Sequence, residues 1–255
     1  MSMTGPQGGR RRDLLGHAAI VALLGLPGLA GCNQPHVDMV QGYQGGRLPP
    51  PDRILVHDFA VRPQDVRLDS GLRGRLTQVF SRESTSELQY QAARETSAAL
   101  SEALVAGLRR YGLPVERTSH PGAPGPGRFL LVDGQLLAVD EGNRTQRVMI
   151  GLGRGRSSVE AGAQVYYLDR SAPPRLIETF EARTDSGRAP GMAETMGIGA
   201  VAGRLGASAA AGAGAHAAIE GSRADDIAEA RRLGEALAQR VGQFLVRQGW
   251  VAPPR

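Results

Sequence analysis

The sequence predicts an α/β or α+β protein: a single mixed sheet of about four to five strands with two main helices packed on it, preceded by a helical or disordered N-terminal signal. Three observations carry this. Two long stretches, Ser86 to Gly112 and Ser222 to Trp250, repeat their apolar positions at helical spacing. Several shorter stretches are continuously apolar or alternate with a period of two. The order of these stretches is strand, helix, strands, helix, which suits one sheet with helices laid against it.

"RILVHDFAV" (Arg53 to Val61) opens the domain as an apolar strand flanked by prolines. Residues 62–83 are polar and broken by glycine and proline, and read as a loop. In the first helix Ser86 and Gln89 form a capping box. Its apolar face is Leu100, Ala103, Leu104, Gly107, Leu108 and Tyr111, and Gly112 with Pro114 stops it. "PVERT" is a short strand and "HPGAPGPGR" (His120 to Arg128) a loop. "FLLVDGQLLAV" (129–139) is apolar almost throughout, as a central strand is. In the next strand Val159, Ala161, Ala163, Val165 and Tyr167 alternate with more polar residues. "LIETFEART" (Leu176 to Thr184) then returns beside it as a hairpin. The second helix starts from a capping box of Ser222 and Asp225. Its face is Ile227, Ala230, Gly234, Leu237, Val241 and Phe244, and Gly249 ends it. The expected domain is therefore residues 53–250, with a Gly/Ala-rich insertion at 191–219.

The N-terminus has a different organisation. "GGRRRD" is basic, Leu14 to Ala30 is apolar apart from His17, and small residues precede Cys32. This is the layout of an export signal. The apolar run has seventeen residues, with two glycines and a proline in its second half. A spanning helix needs about 20 apolar residues. Leu29-Ala30-Gly31-Cys32 resembles the lipobox of bacterial lipoproteins. That resemblance implies cleavage between Gly31 and Cys32, acylation of the Cys32 thiol and acylation of the new amine. Two or three chains anchor stably where one binds only reversibly. "RRDLL", with Arg11 and Arg12, also resembles a twin-arginine signal. The general secretory route stays open beside it, because the chain has no lysine and uses arginine everywhere. Asn33 stands where an aspartate would resemble an inner-membrane retention signal. The expected location is thus the outer membrane, facing the periplasm, ahead of the inner membrane. Residues 32–52, rich in glycine and proline, read as a tether lifting the domain off the bilayer.

Composition sets further bounds. The chain has 30 basic and 25 acidic residues; three arginines and one aspartate leave with residues 1–31, so 27 face 24 in the mature protein. That near-balance, with arginines spread among acids, argues against nucleic acid despite a high isoelectric point. Cys32 is the only cysteine, so no disulfide staples the fold.

The motifs that could carry chemistry are weak. "IGLGRGRSS" (Ile150 to Ser158) lacks the lysine of a phosphate loop and is followed by a strand, so its glycines read as turn or bulge positions. His57 and Asp58 are adjacent on a strand and point to opposite faces. A cleft where two or more of His57, Asp58 and Asp133 converge would argue for an enzyme. No metal or cofactor set and no catalytic constellation is visible, and a non-enzymatic protein without cofactor is expected. In the Gly/Ala stretch, Gly199 and Gly203 form a small-xxx-small pair. Arg204 and His216 and the many glycines argue against a spanning helix there.

The lipobox, the "ILV.DF" strand, the "QRVMIGLGRGRSS" turn leading into an alternating strand, the Gly/Ala stretch and the closing "GW" resemble bacterial lipoproteins carrying domain of unknown function 4410. The most specific element runs from Arg147 to Ser157. The resemblance covers most of residues 50–250 and brings no activity or catalytic residue with it. The element order also looks similar to envelope assembly proteins of the curli-secretion and TolB amino-terminal type, a likeness of fold alone. The expected function is a lipid-anchored periplasmic interaction or scaffold protein, held to the membrane by its N-terminal lipid and bound to a protein partner. The alternative is a homo-oligomerising subunit of an envelope secretion or assembly complex.

Overall fold

The computed structural model describes residues 34–68, 84–119, 126–142, 156–186 and 214–253, with side chains from residue 224 onward in the last stretch. The elements are β1 (His36–Gln41), β2 (Arg53–His57), a 3-10 turn (Pro63–Asp65), β3 (Val66–Arg67), α1 (Thr85–Arg109), β4 (Val115–Thr118), β5 (Arg128–Asp140), β6 (Ser158–Asp169), β7 (Ala172–Asp185) and α2 (Gly214–Gln248). They form one seven-stranded mixed sheet in the order β1-β7-β6-β5-β2-β4, with β3 pairing β5 beyond the end of β2. The long strands β5, β6, β7 and β1 run antiparallel, whereas β2, β3 and β4 lie parallel to their neighbours. The architecture is α+β, with both helices in one hydrophobic core with the sheet.

The alternating residues of β6 behave as their pattern predicts: Val159, Ala161, Ala163, Val165 and Tyr167 are all buried. Ile54 and Val56 of β2, Leu130, Val132 and Leu136 of β5, and Phe180 and Ala182 of β7 are buried with them in the same cluster. From the helices come Leu100, Leu104 and Leu108, and Leu233, Leu237, Val241, Phe244 and Leu245. The helices meet through small residues. A Cβ added to Gly234 would strike the Leu100 carbonyl, and one added to Gly107 would come within 2.5 Å of the Ala238 Cβ. Gly112 (φ 84°) and Gly249 (φ 75°) follow α1 and α2 in the left-handed conformation that ends a helix, as their positions predict.

Four expectations change. The sheet has seven strands rather than four to five, because β1 lies in the expected tether and β3 in the expected loop of residues 62–83. The tether reading fails for His36–Gln41, which pairs antiparallel with β7 from His36 opposite Arg183. Residues 43–51 are fastened as well. Leu48 N–H donates to Gln248 Oε1 (2.9 Å), Trp250 Nε1 donates to the Leu48 carbonyl (2.9 Å), and Tyr167 O–H donates to the Pro49 carbonyl (3.0 Å). Tyr43 packs edge-on to Phe244, and Phe244 edge-on to Trp250. Glycine and proline here shape a strap over aromatic rings, and composition cannot tell a strap from a free linker.

The helix starts also differ. Ser84, not Ser86, caps α1: its hydroxyl accepts from the Glu87 N–H (3.2 Å), a capping sequence two residues upstream of the expected one. The second helix begins at Gly214, so Ser222 is interior and residues 214–219 of the expected insertion are helical. The alanines before Ser222 are strong helix formers, and the helix runs through them.

Candidate functional site

The helices cover one face of the sheet. The residues that alternate with the core positions look out from the other, and there the strands form two shallow grooves that share Leu137 and Glu181. The larger, about 400 Å³, is lined by Asp133, Gln135, Leu137, Gln164, Thr179 and Glu181, among others. The smaller, about 240 Å³, adds Asp38, Glu160 and Arg183. The pairing register explains the row: Gln135 lies opposite Gly162, and Gly162 opposite Glu181. Gly162 has no side chain, so the middle of the row is hollow. A Cβ there would meet nothing nearer than Leu137, at 3.8 Å. Leu137 follows Asp133 and Gln135 in alternation onto this face and is 37% exposed at the rim of both grooves; the bulge between Leu136 and Ala138 then returns Val139 to the core. Asp38, Asp133, Glu160 and Glu181 against Arg183 give the grooves a net negative lining.

His57 and Asp58 diverge as adjacent strand positions require. Asp58 pairs with Arg117, which also donates to Glu102 of α1 (3.0 Å). His57 Nδ1 lies 3.5 Å from Asp133 Oδ1, and that oxygen also accepts from the Gly134 N–H (3.1 Å). Two of the three residues singled out for an enzyme therefore converge. Asp133 lines the larger groove and His57 does not, so the pair stands at the groove's margin rather than inside it. Among the described residues no group of three or more His, Cys, Asp or Glu is placed to hold a metal ion.

Two of the buried acids, Glu178 and Glu229, lie on the covered face and were missed by sequence reasoning. Glu178 of β7 is buried against Arg247 of α2. Burial pushes its carboxyl up to about 7, against the pull of the arginine. Glu229 of α2 is raised by burial too, although Thr184 donates to its Oε2 (2.7 Å) and Arg232 reaches its other oxygen. In the sequence both sit at ordinary alternating or helical positions, and nothing there distinguishes them from surface glutamates. Two buried hydroxyls on α1 serve the backbone: Ser97 donates to the Phe59 carbonyl (2.6 Å) and Ser101 accepts from the Phe59 N–H (3.3 Å). They hold the strand end after β2 against the helix.

Cys32, Gly31, Arg11 and Arg12 lie outside the described residues, as do most of the glycine-rich motif and of the Gly/Ala stretch. Ser157, the last residue of the Arg147–Ser157 pattern, is described. It is buried, and its backbone N–H donates to Ser186 Oγ (3.1 Å) at the start of the β6–β7 pairing. No helix among the described residues is long and apolar enough to cross a membrane.

The model for the domain of unknown function DUF4410 matches residues 54–203. The chain belongs to this family. The match leaves out β1 and α2, which complete the sheet and its helical layer. No curated protein matches the sequence. Among solved structures the chain is similar to a PelC dodecamer from Paraburkholderia phytofirmans, at 11% identity and a TM-score of 0.30, covering 79% of this chain and 98% of that one. A point variant of the same assembly matches at 12% identity with the same score and coverage. A protein from Xanthomonas campestris, XCC0632, described as family-model DUF330, matches at 10% identity and a TM-score of 0.28, covering 85% and 95%. Likenesses this distant carry no inference about assembly or activity.

Proposed function

We propose that this DUF4410 protein is a lipid-anchored periplasmic interaction protein of the cell envelope, acylated at Cys32 and sited at the outer membrane, with no reaction of its own. The sheet face opposite the helices, which no described element covers, is the observation that supports the interaction role. It offers a hollow of about 400 Å³ ringed by carboxylates and amides, with Leu137 as an apolar contact. Such a surface suits a partner segment that presents basic and hydrogen-bonding side chains, since charge complementarity sets partner choice and encounter rate. The lipobox sequence Leu29-Ala30-Gly31-Cys32 supports the location.

Two experiments test the halves separately. Cells grown on labelled palmitate should incorporate label into the wild type and not into Cys32→Ala; label kept by the mutant removes the anchor. Crosslinking and mass spectrometry in the native envelope should place partner peptides on residues around Gln135, Glu160 and Glu181. The double variant Glu160→Arg, Glu181→Arg should lose those crosslinks while its melting temperature is unchanged. Crosslinks that survive the charge reversal remove this face from the partner surface.

A second reading, an oligomerising subunit, has its own supporting observation. Among the described residues β1 is the terminal strand of the sheet, and on it Met39 is 46% and Val40 59% exposed. An apolar edge strand is a template for pairing with another copy.

A further inference from the structure

Resting on the acylation of Cys32 proposed above, we infer that the end of the sheet carrying His36, Arg67 and Arg183 stands at the phospholipid surface, with the grooved face upright rather than laid on the bilayer. The argument begins with chain length. Only Asn33, Gln34 and Pro35 separate Cys32 from the first residue of β1. Four residue steps reach at most about 14 Å even when fully extended. The strand that replaces the expected tether therefore brings the domain to the bilayer instead of lifting it clear.

The register fixes which part of the domain that is. His36 pairs with Arg183, Arg183 with Glu160, and Glu160 with Ala138, while Arg67 of β3 pairs with Asp140 at the same end of β5. The turn between β6 and β7, at Ser171, lies at the opposite end. β6 alone has twelve residues and spans roughly 36 Å between the two ends. The far end thus exceeds the reach of the anchor unless the domain lies flat.

Charge opposes lying flat on the grooves. Asp38, Asp133, Glu160 and Glu181 outnumber Arg183 there, and an anionic phospholipid leaflet attracts basic groups and repels acidic ones over about a Debye length. The domain stands on its β1 end, and the grooves stay open to a partner.

The test uses the full-length protein purified with its lipid and inserted into vesicles of phosphatidylethanolamine and phosphatidylglycerol that carry a nitroxide quencher on the headgroup. A fluorophore is placed on Arg67→Cys or on Ser171→Cys, both exposed positions, and the acyl mass on Cys32 is verified in each sample. The expected result is several-fold stronger quenching at 67 than at 171, and a label at Gln164→Cys, midway along β6 on the open face, quenched to a degree between the two. Equal quenching at 67 and 171 in acylated protein overturns the upright orientation and leaves the anchor intact. Absence of acyl mass on Cys32 overturns the anchor itself, and the orientation with it.

Discussion

The two faces of this sheet come from the same strands and answer to different physics. On the covered face alternate residues of β5, β6 and β7 are buried beneath two helices that touch through Gly107 and Gly234. On the open face the intervening residues are acids and amides around an empty position, Gly162. A glycine on the covered side permits backbone contact, whereas the glycine on the open side leaves a hollow. Identical substitutions should therefore have opposite consequences, and that is the sharpest way to break the comparison. Gly234→Val forces a side chain into the Leu100 carbonyl and the Leu104 backbone. It should cost about 3 kcal/mol or more in urea unfolding, the upper range for overpacking. Gly162→Val faces open space and suits a strand, so its stability should stay within about 0.5 kcal/mol of wild type. It should fill the hollow and abolish crosslinks to the partner. A Gly162→Val protein that is as unstable as Gly234→Val would show that the open face is packed against something.

The same contrast marks how much was legible in the sequence. The alternation of Val159 to Tyr167 and the helical rhythm of Leu100 to Leu108 report burial directly, because apolar side chains must leave water wherever the chain goes. The strands and helices they define are where they were expected, apart from the earlier start of α2. β1 was not legible. HVDMVQ has one buried residue, Val37, and is held by its ladder to β7, so its hydrophobic pattern is nearly empty. β3 is two residues long. The strap at 43–51 depends on contacts with Gln248 and Trp250, about two hundred residues away, and no local pattern encodes those. The grooves were equally hidden. Asp133 stood out beside His57, but Gln135, Glu160, Gly162 and Glu181 become one surface only through the register of three strands.

Within the covered face, the buried Glu178–Arg247 pair makes a second prediction. The folded carboxyl holds its proton up to about 7, while its ordinary value is 4.5. Between those values the unfolded chain has lost the proton and the folded chain keeps it. The unfolded state thus binds fewer protons, and stability falls as pH rises through this window, by up to roughly 3 kcal/mol. Glu229, also raised by burial, acts in the same direction. Stability measured by denaturant titration should be higher at pH 5 than at pH 8, and Glu178→Gln should flatten the slope. Arg247→Met strips the carboxylate of its counter-charge, so the loss should be slight at pH 5 and about 3 kcal/mol at pH 8, the cost of an uncompensated buried charge. A wild-type stability that rises from pH 5 to pH 8 would mean that the pair is ionised and net stabilising, and that Arg247 outweighs burial.

The smallest effect on stability is expected at the border between the faces, on the outer edge of β1. Among the described residues no strand pairs with that edge, and natural edge strands are commonly guarded by charge, lysine above all. Here the guard is Asp38, with His36 beside it (3.0 Å), ahead of the exposed Met39 and Val40. Val40→Lys leaves the β7 ladder intact and should shift stability by no more than about 0.5 kcal/mol. Light scattering on residues 33–255 then separates the two functional readings. If copies join through this edge, the wild type forms oligomers at high concentration and Val40→Lys is monomeric. Oligomers that persist in Val40→Lys but vanish on deletion of residues 191–213 would assign assembly to the Gly/Ala stretch. A wild type that stays monomeric removes the oligomer reading and leaves the grooved face as the interaction surface to pursue.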